Sequence, residues 1–173
     1  MIASVFTPEA TAALIGAAVG ACLGWALGFL SESLREWSRA RRARKVAALL
    51  IYGELTSNLA VVSALRKFGV WSTERIHRSA WEAQGAALLY RSSMDRVGRL
   101  TQAYNALEDV AWMVGDKSQG RDFTSGDDAE FLDSTLIPLI YNGMREVGPL
   151  AGLARTEVEE RVAFSERETR GPG

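Results

Sequence analysis

The feature that most constrains this chain is an uncharged run of 20 residues near the N-terminus, Thr11 to Leu30, which reads TAALIGAAVGACLGWALGFL. As an α-helix, such a run is about 30 Å long, which matches the hydrocarbon core of a bilayer. No Lys or Arg precedes it, whereas a secretory signal peptide begins with a positively charged segment. The sequence therefore predicts a retained transmembrane helix over residues 11–30, introduced by the helix-start signal Thr7-Pro8-Glu9.

Four glycines recur one turn apart within this run, although glycine inside a soluble helix costs about 1 kcal/mol relative to alanine. At about 100° per residue they occupy one sector of the helix, while most of the large side chains and Cys22 lie elsewhere. Small residues spaced by four allow a second helix to approach closely, so this sector predicts helix–helix packing in the membrane. The alternative is that membrane helices simply tolerate glycine. We call this sector the glycine face; its members are Gly16, Gly20, Gly24 and Gly28.

Positive charge is concentrated directly after the apolar run. Because Lys and Arg beside a span stay on the cytoplasmic side, residues 1–10 are expected to be extracytoplasmic and residues 31–173 cytoplasmic. Such clusters also bind anionic lipid headgroups, at about 1 kcal/mol per charge. Nucleic acid is not expected as a partner, because residues 51–173 carry 14 bases and 18 acids. The basic cluster consists of Arg35, Arg39, Arg41, Arg42, Arg44 and Lys45.

Residues 31–68 contain no proline and only one glycine, so a basic juxtamembrane helix is expected to continue as the first helix of a cytoplasmic bundle. Its apolar stripe, which predicts a core-facing or coiled-coil seam, contains Asn58, and Glu54 lies one turn earlier. Two interpretations are open at this stage. Glu54 and Asn58 are either a buried polar pair that fixes register or oligomeric state, or part of a solvated helix edge.

The rest of the chain, residues 69–167, also has the pattern of helices, and the fold class expected is all-α with a cytoplasmic bundle of about four helices. Pro138 and Pro149 are expected to kink or divide the last helix. Residues 168–173 are expected to form a disordered tail. The expected segments are a helix at about 73–90, a helix from 92 or 93 to 114, a loop at 115–128, and a helix from 127 or 128 to 167.

No constellation of catalytic or metal-binding residues is recognisable in the sequence. Its single cysteine and its single histidine, His77, exclude the familiar Cys/His metal sites, and the chain lacks P-loop, HExxH, GxSxG and GxGxxG patterns. We therefore expect neither an enzyme nor a cofactor or metal site.

The order of features resembles that of many uncharacterised bacterial single-span helical proteins. The resemblance rests on one N-terminal span, a basic extension, the Glu54-x-x-x-Asn58 step, a tryptophan, and the A-Y-N-A-L sequence of Ala103–Leu107. It implies no activity.

The function expected is that of a membrane-anchored interaction or assembly protein that forms homo-oligomers or joins a larger membrane complex through the glycine face. The alternative is a homo-oligomeric pore, although Thr11 is the only hydroxyl in the span. Abundant alanine, and arginine in excess over lysine, are typical of high-GC bacterial genomes. The expected location is the bacterial inner membrane.

Overall fold

The computed structural model describes residues 8–69, 76–90, 92–115 and 122–170. These residues are almost entirely helical and include no strand, so the all-α class is confirmed for them. Several expectations fall outside the described residues: the extracytoplasmic position of residues 1–7, a helix start at Thr73, the middle of the expected loop at 116–121, and the last residues of the tail, 171–173.

The first helix is long and uninterrupted, as its lack of internal proline predicts, and the others are short. A π-helical segment, Leu132–Leu136, joins the fourth helix to the fifth. The helices are α1 (Pro8–Phe68), α2 (Ser79–Leu89), α3 (Met94–Gly115), α4 (Gly126–Phe131), α5 (Ile137–Ala151) and α6 (Arg155–Arg170).

The chain divides into two compact units, Met1–Arg42 and Ala43–Gly173. In the first unit, the described residues belong to α1 and their large apolar side chains are exposed. The second unit has a continuous hydrophobic core that all six helices enter. The stripe of α1 that was expected to face this core is buried; it comprises Ile51, Leu55, Val62 and Leu65.

Two helix ends follow from local backbone chemistry. Gly69 ends α1 with a positive φ of 62°, and its N–H donates to the carbonyl of Leu65 at 2.9 Å. Glycine adopts this left-handed conformation without steric cost, which explains why α1 ends here. At the start of α3, the Ser93 hydroxyl accepts a hydrogen bond from the backbone N–H of Arg96, at 3.4 Å.

The expected effect of the prolines on the last helix is only partly correct. Pro138 lies in the first turn of α5, directly after the π-helical segment, and Pro149 is accommodated inside that helix. The division falls instead at Gly152, whose φ is 90° and whose N–H donates to the carbonyl of Pro149 at 3.2 Å. Proline is tolerated at a helix start because its missing N–H has no partner there, whereas a left-handed residue ends the helix outright. The final helix, α6, then continues to Arg170, three residues beyond the expected end.

Candidate membrane-contacting segment and buried polar cluster

Among the described residues, α1 is the one helix long and apolar enough to cross a membrane, by length and composition. Its most apolar 18-residue window has a mean hydropathy of 2.0, and none of that window is buried. Large side chains such as Leu14, Val19 and Trp25 are exposed. A core helix of a soluble protein would bury such a surface. The first part of α1 is therefore compatible with membrane anchoring.

No side chain among the described residues lies against the glycine face. A methyl group built on any of its four glycines would find no atom within 4 Å outside the helix's own backbone and the adjoining residues. Cys22 lies on the side of the helix opposite this face, at about 100° per residue. At the end of the apolar run, the Ser31 hydroxyl donates to the carbonyl of Gly28 at 2.8 Å, so that polar hydroxyl is satisfied within the helix.

Four members of the basic cluster belong to the first unit and are exposed. Arg35 and Arg39 make no hydrogen bond or ion pair with any residue that the structure describes. Arg42 donates to the Ser38 hydroxyl at 3.1 Å, and the guanidinium of Arg41 lies 5.4 Å from the ring centroid of Trp37. No carboxylate among the described residues neutralises these guanidinium groups, which leaves their charge available to an anionic partner.

The last two members of the cluster, Arg44 and Lys45, belong to the second unit and contact it. Arg44 donates to the Ser92 hydroxyl at 3.0 Å and is half-buried. A methyl group built on Gly152 would lie 3.0 Å from Cε of Lys45, so this side chain packs against the turn between α5 and α6. Both cations therefore contact other parts of the second unit. The sequence pattern alone did not distinguish this structural role from contact with lipid.

Glu54 lies in the interior of the second unit and binds the N-terminus of α2. Its carboxylate accepts hydrogen bonds from the backbone N–H of Ala80 at 2.7 Å and of Trp81 at 3.1 Å, and from the hydroxyl of Tyr104 at 2.7 Å. The Ser79 hydroxyl lies at 3.5 Å. Residue Arg78, which precedes α2, provides no side-chain cap. Glu54 therefore supplies from α1 the cap that α2 lacks in its own sequence.

Asn58 is fully buried, and its amide both donates to and accepts from the backbone of the segment before α2. Its Nδ2 donates to the carbonyl of His77 at 2.7 Å, and its Oδ1 accepts from the N–H of the same residue at 2.8 Å. Glu54 and Asn58 are both at most 5% exposed, so the solvated-edge interpretation is wrong. Each side chain binds the chain around the start of α2.

Tyr104 completes the cluster on the α3 side. Its ring stacks on that of Trp81, with the centroids 4.7 Å apart and the planes inclined by 13°. Burial, and next the hydrogen bond to Glu54, raise the pKa of Tyr104 well above its usual value. The phenol therefore stays protonated and acts as a hydrogen-bond donor, which gives the cluster a structural role.

The outer side of α1 in the second unit carries an apolar strip, separate from the stripe that faces the core. Val46, Leu49 and Leu50 are each about half exposed, and Gly53 lies one turn further along with open space around its Cα. Positions spaced by three and four share a helix face. This part of the bundle surface is apolar where a solvated helix usually carries polar side chains.

Among the described residues, no group of three or more His, Cys, Asp or Glu side chains is placed to hold a metal ion. The chain matches no protein-family model, no curated protein and no solved structure in the comparisons made. The part of the chain that the structure describes is thus helical, without strands, and carries one candidate membrane span.

Proposed function

We propose that this chain is a membrane-anchored assembly protein, whose span associates with other helices through the glycine face. The observation that carries the proposal is the open space over Gly16, Gly20, Gly24 and Gly28 in an apolar helix. Lipid tails offer no hydrophobic contrast between helices, so close backbone packing over small residues is what favours association there. The partner is another copy of this chain or a different membrane protein, and no catalytic role is assigned to the chain.

The charge distribution supports the orientation that we propose for the span. The exposed guanidinium groups of Arg35, Arg39, Arg41 and Arg42 directly follow the apolar run, where anionic headgroups of the cytoplasmic leaflet would neutralise them. The proposal thus places the chain in a bacterial inner membrane, with the N-terminus outside and residues 31–173 in the cytoplasm.

The experiment that tests the proposal compares two double replacements on opposite sides of the span. Gly20→Leu with Gly24→Leu fills the glycine face, whereas Ala18→Leu with Ala26→Leu adds bulk on the opposite side. The number of fluorescently labelled chains per complex is counted by single-molecule photobleaching in liposomes at a fixed protein-to-lipid ratio. Because native membranes also contain other partners, the same variants are compared by affinity purification from them. The double variant at Gly20 and Gly24 should lose association, and the double variant at Ala18 and Ala26 should retain it. Equal association of the two variants would contradict the proposal.

The pore alternative is distinguished by ion flux through the same liposomes. A lumen formed by this span would be lined by small side chains and backbone, with Thr11 as its only hydroxyl, and conducting pores usually place polar or charged groups along the path. Oligomers in a membrane that shows no ion flux support the assembly role. Ion flux that is lost in the variant with Gly20→Leu and Gly24→Leu would favour the pore.

A further inference from the structure

A cleft of about 550 Å³ opens between α3, α5 and α6 in the second unit, and it belongs to none of the features discussed above. This volume lies within the range of small-molecule sites. Its polar lining comes from three different helices. The charged and amide side chains in that lining are Arg99, Asn142, Arg145, Glu146, Arg155 and Glu159.

Two of the three arginines that line the cleft are paired with its carboxylates. Arg99 Nη2 lies 2.8 Å from Glu146 Oε1, and Arg145 Nε lies 3.1 Å from both carboxylate oxygens of Glu159. The other oxygen of Glu146 accepts from Nε of Arg96 at 3.0 Å. These carboxylates are therefore already occupied, and they hold the guanidinium groups at the wall of the cleft.

The third arginine, Arg155, makes no hydrogen bond or ion pair with any residue in the described parts of the chain. The lining holds three arginines and two glutamates and therefore carries a net charge of +1. Arg155 is also the first residue of α6, where the helix dipole adds partial positive charge. The surplus charge of the cleft is therefore located at the Arg155 guanidinium, and Asn142 of the same lining makes no hydrogen bond with its side chain to any described residue.

We propose that this cleft binds a phosphate group, carried either by a soluble molecule or by a lipid headgroup. A guanidinium presents two parallel N–H donors that match two oxygens of a phosphate, and Arg155 has all of its donors free among the described residues. Asn142 supplies a neutral donor from α5. The cleft is far larger than a bare phosphate ion, which is why a phosphate attached to a larger molecule is the expected ligand. This inference is independent of the glycine face, because it rests on the second unit alone.

The test uses the full chain in phosphatidylcholine nanodiscs, titrated with inorganic phosphate by calorimetry against chloride at equal ionic strength. A second set of samples, in detergent micelles with phosphatidylglycerol, is analysed by native mass spectrometry for bound lipid. Arg155→Gln should weaken binding roughly tenfold or more, the usual effect of removing a charge-assisted pair of hydrogen bonds. Arg155→Lys keeps the charge but lacks the two parallel N–H donors of a guanidinium, so it should give an intermediate loss of affinity.

The matched control is Arg167→Gln, which removes the same charge from an exposed position of α6 whose side chain donates to the carbonyl of Ala163. Binding of inorganic phosphate that depends on Arg155 supports the inference with a soluble source. Lipid binding with the same dependence, without inorganic phosphate binding, supports a headgroup source. Absence of both, or equal loss in the Arg155→Gln and Arg167→Gln variants, would overturn it. Circular dichroism of the Arg155→Gln variant checks the fold, which should be unchanged because this side chain is exposed and unpaired within the described residues.

Discussion

The Tyr104 hydroxyl of α3 donates to the carboxylate of Glu54 in α1 at 2.7 Å, and the same carboxylate receives two backbone N–H groups of α2. One buried side chain thus joins three helices. Its partners are separated from it by 26 to 50 residues along the sequence, so the bonds connect parts of the chain that no local interaction would hold together. The cluster is therefore expected to contribute strongly to the stability of the second unit.

Replacement of Glu54 should therefore destabilise the fold strongly. Glu54→Ala leaves two helix N–H groups and the phenol of Tyr104 without their acceptor, and we expect a loss of about 3 kcal/mol in the free energy of unfolding. Glu54→Gln keeps one acceptor oxygen and should lose about 2 kcal/mol. Denaturant unfolding of the full chain in mild detergent measures both. Glu130→Gln, at an exposed position, should change the free energy by less than about 0.5 kcal/mol. A Glu54→Ala variant as stable as wild type would show that the cap is dispensable.

Asn58 should be needed to hold the segment that leads into α2. Asn58→Ala removes both hydrogen bonds to the backbone of His77, and we expect a loss of about 2 kcal/mol. Asn58→Asp keeps an acceptor for the N–H but sets an oxygen against the carbonyl, so it should be no more stable than the alanine variant. Hydrogen exchange at the His77 amide, compared with denaturant unfolding, separates local from global loosening. The control is Asn105→Ala on the exposed side of α3, which should leave both readouts unchanged.

The raised pKa of Tyr104 predicts an alkaline loss of stability. In the unfolded chain the pKa of the phenol is near its ordinary value of 10.0, while in the folded chain burial and then the hydrogen bond to Glu54 raise it and keep the phenol protonated. Above about pH 10 the unfolded state binds fewer protons than the folded state, so the free energy of unfolding falls by up to about 1.4 kcal/mol per pH unit. Below about pH 10, the stabilisation of the folded state by the protonated Tyr104 phenol is fully present.

Tyr104→Phe removes this titration and provides its control. The wild type and the variant are unfolded with urea at pH 9 and at pH 11, and the wild type should lose more stability between the two. The difference isolates Tyr104 because the other groups that titrate in this range are common to both chains. Equal losses would mean that the phenol does not distinguish the folded from the unfolded state.

The orientation proposed for the span depends on the free guanidinium groups. Replacing Arg35, Arg39, Arg41 and Arg42 together with glutamine should increase the fraction of chains inserted with the bundle on the wrong side. Protease protection of residues 43–173 in membrane vesicles measures this fraction. The control combines Arg145→Gln with Arg161→Gln, which removes bases far from the span in sequence and should leave the orientation unaltered. An unchanged orientation in the fourfold variant would show that the basic cluster does not determine it.

The helical class and several boundaries could be predicted from the sequence because they depend on local chemistry. The end of α1 at Gly69 is an example, since one residue with a positive φ determines it. The division at Gly152 was missed because two prolines nearby gave a stronger local signal, although Pro138 falls where a helix tolerates it. Gly152 lies against the side chain of Lys45 from another helix, and such a contact leaves no pattern in the sequence around Gly152.

The candidate sites also divide into features that follow from a local sequence pattern and features that depend on contacts between distant residues. The glycine face and the basic cluster are periodic patterns on one helix, which is why they are visible in the sequence. The buried positions of Glu54 and Asn58 could be suggested, but their partners are mainly backbone groups 19 to 27 residues further along the chain. Any residue has such groups, so no sequence pattern identifies them. The cleft beside Arg155 was missed for a similar reason, because its lining comes from three helices.

The most direct test of the central claim, that the span contacts protein through its glycine face, is cysteine cross-linking within membranes. The native Cys22 lies on the opposite side of the helix, so it serves as the control in the unmodified chain. The comparison chain combines Cys22→Ala with Ala17→Cys, which moves the thiol into the sector of the glycines. Under mild oxidation, Ala17→Cys chains should form disulfide-linked dimers, or disulfides with a partner that carries a matching cysteine, whereas Cys22 chains should remain unlinked. Efficient linkage through Cys22, with none through position 17, would contradict the account.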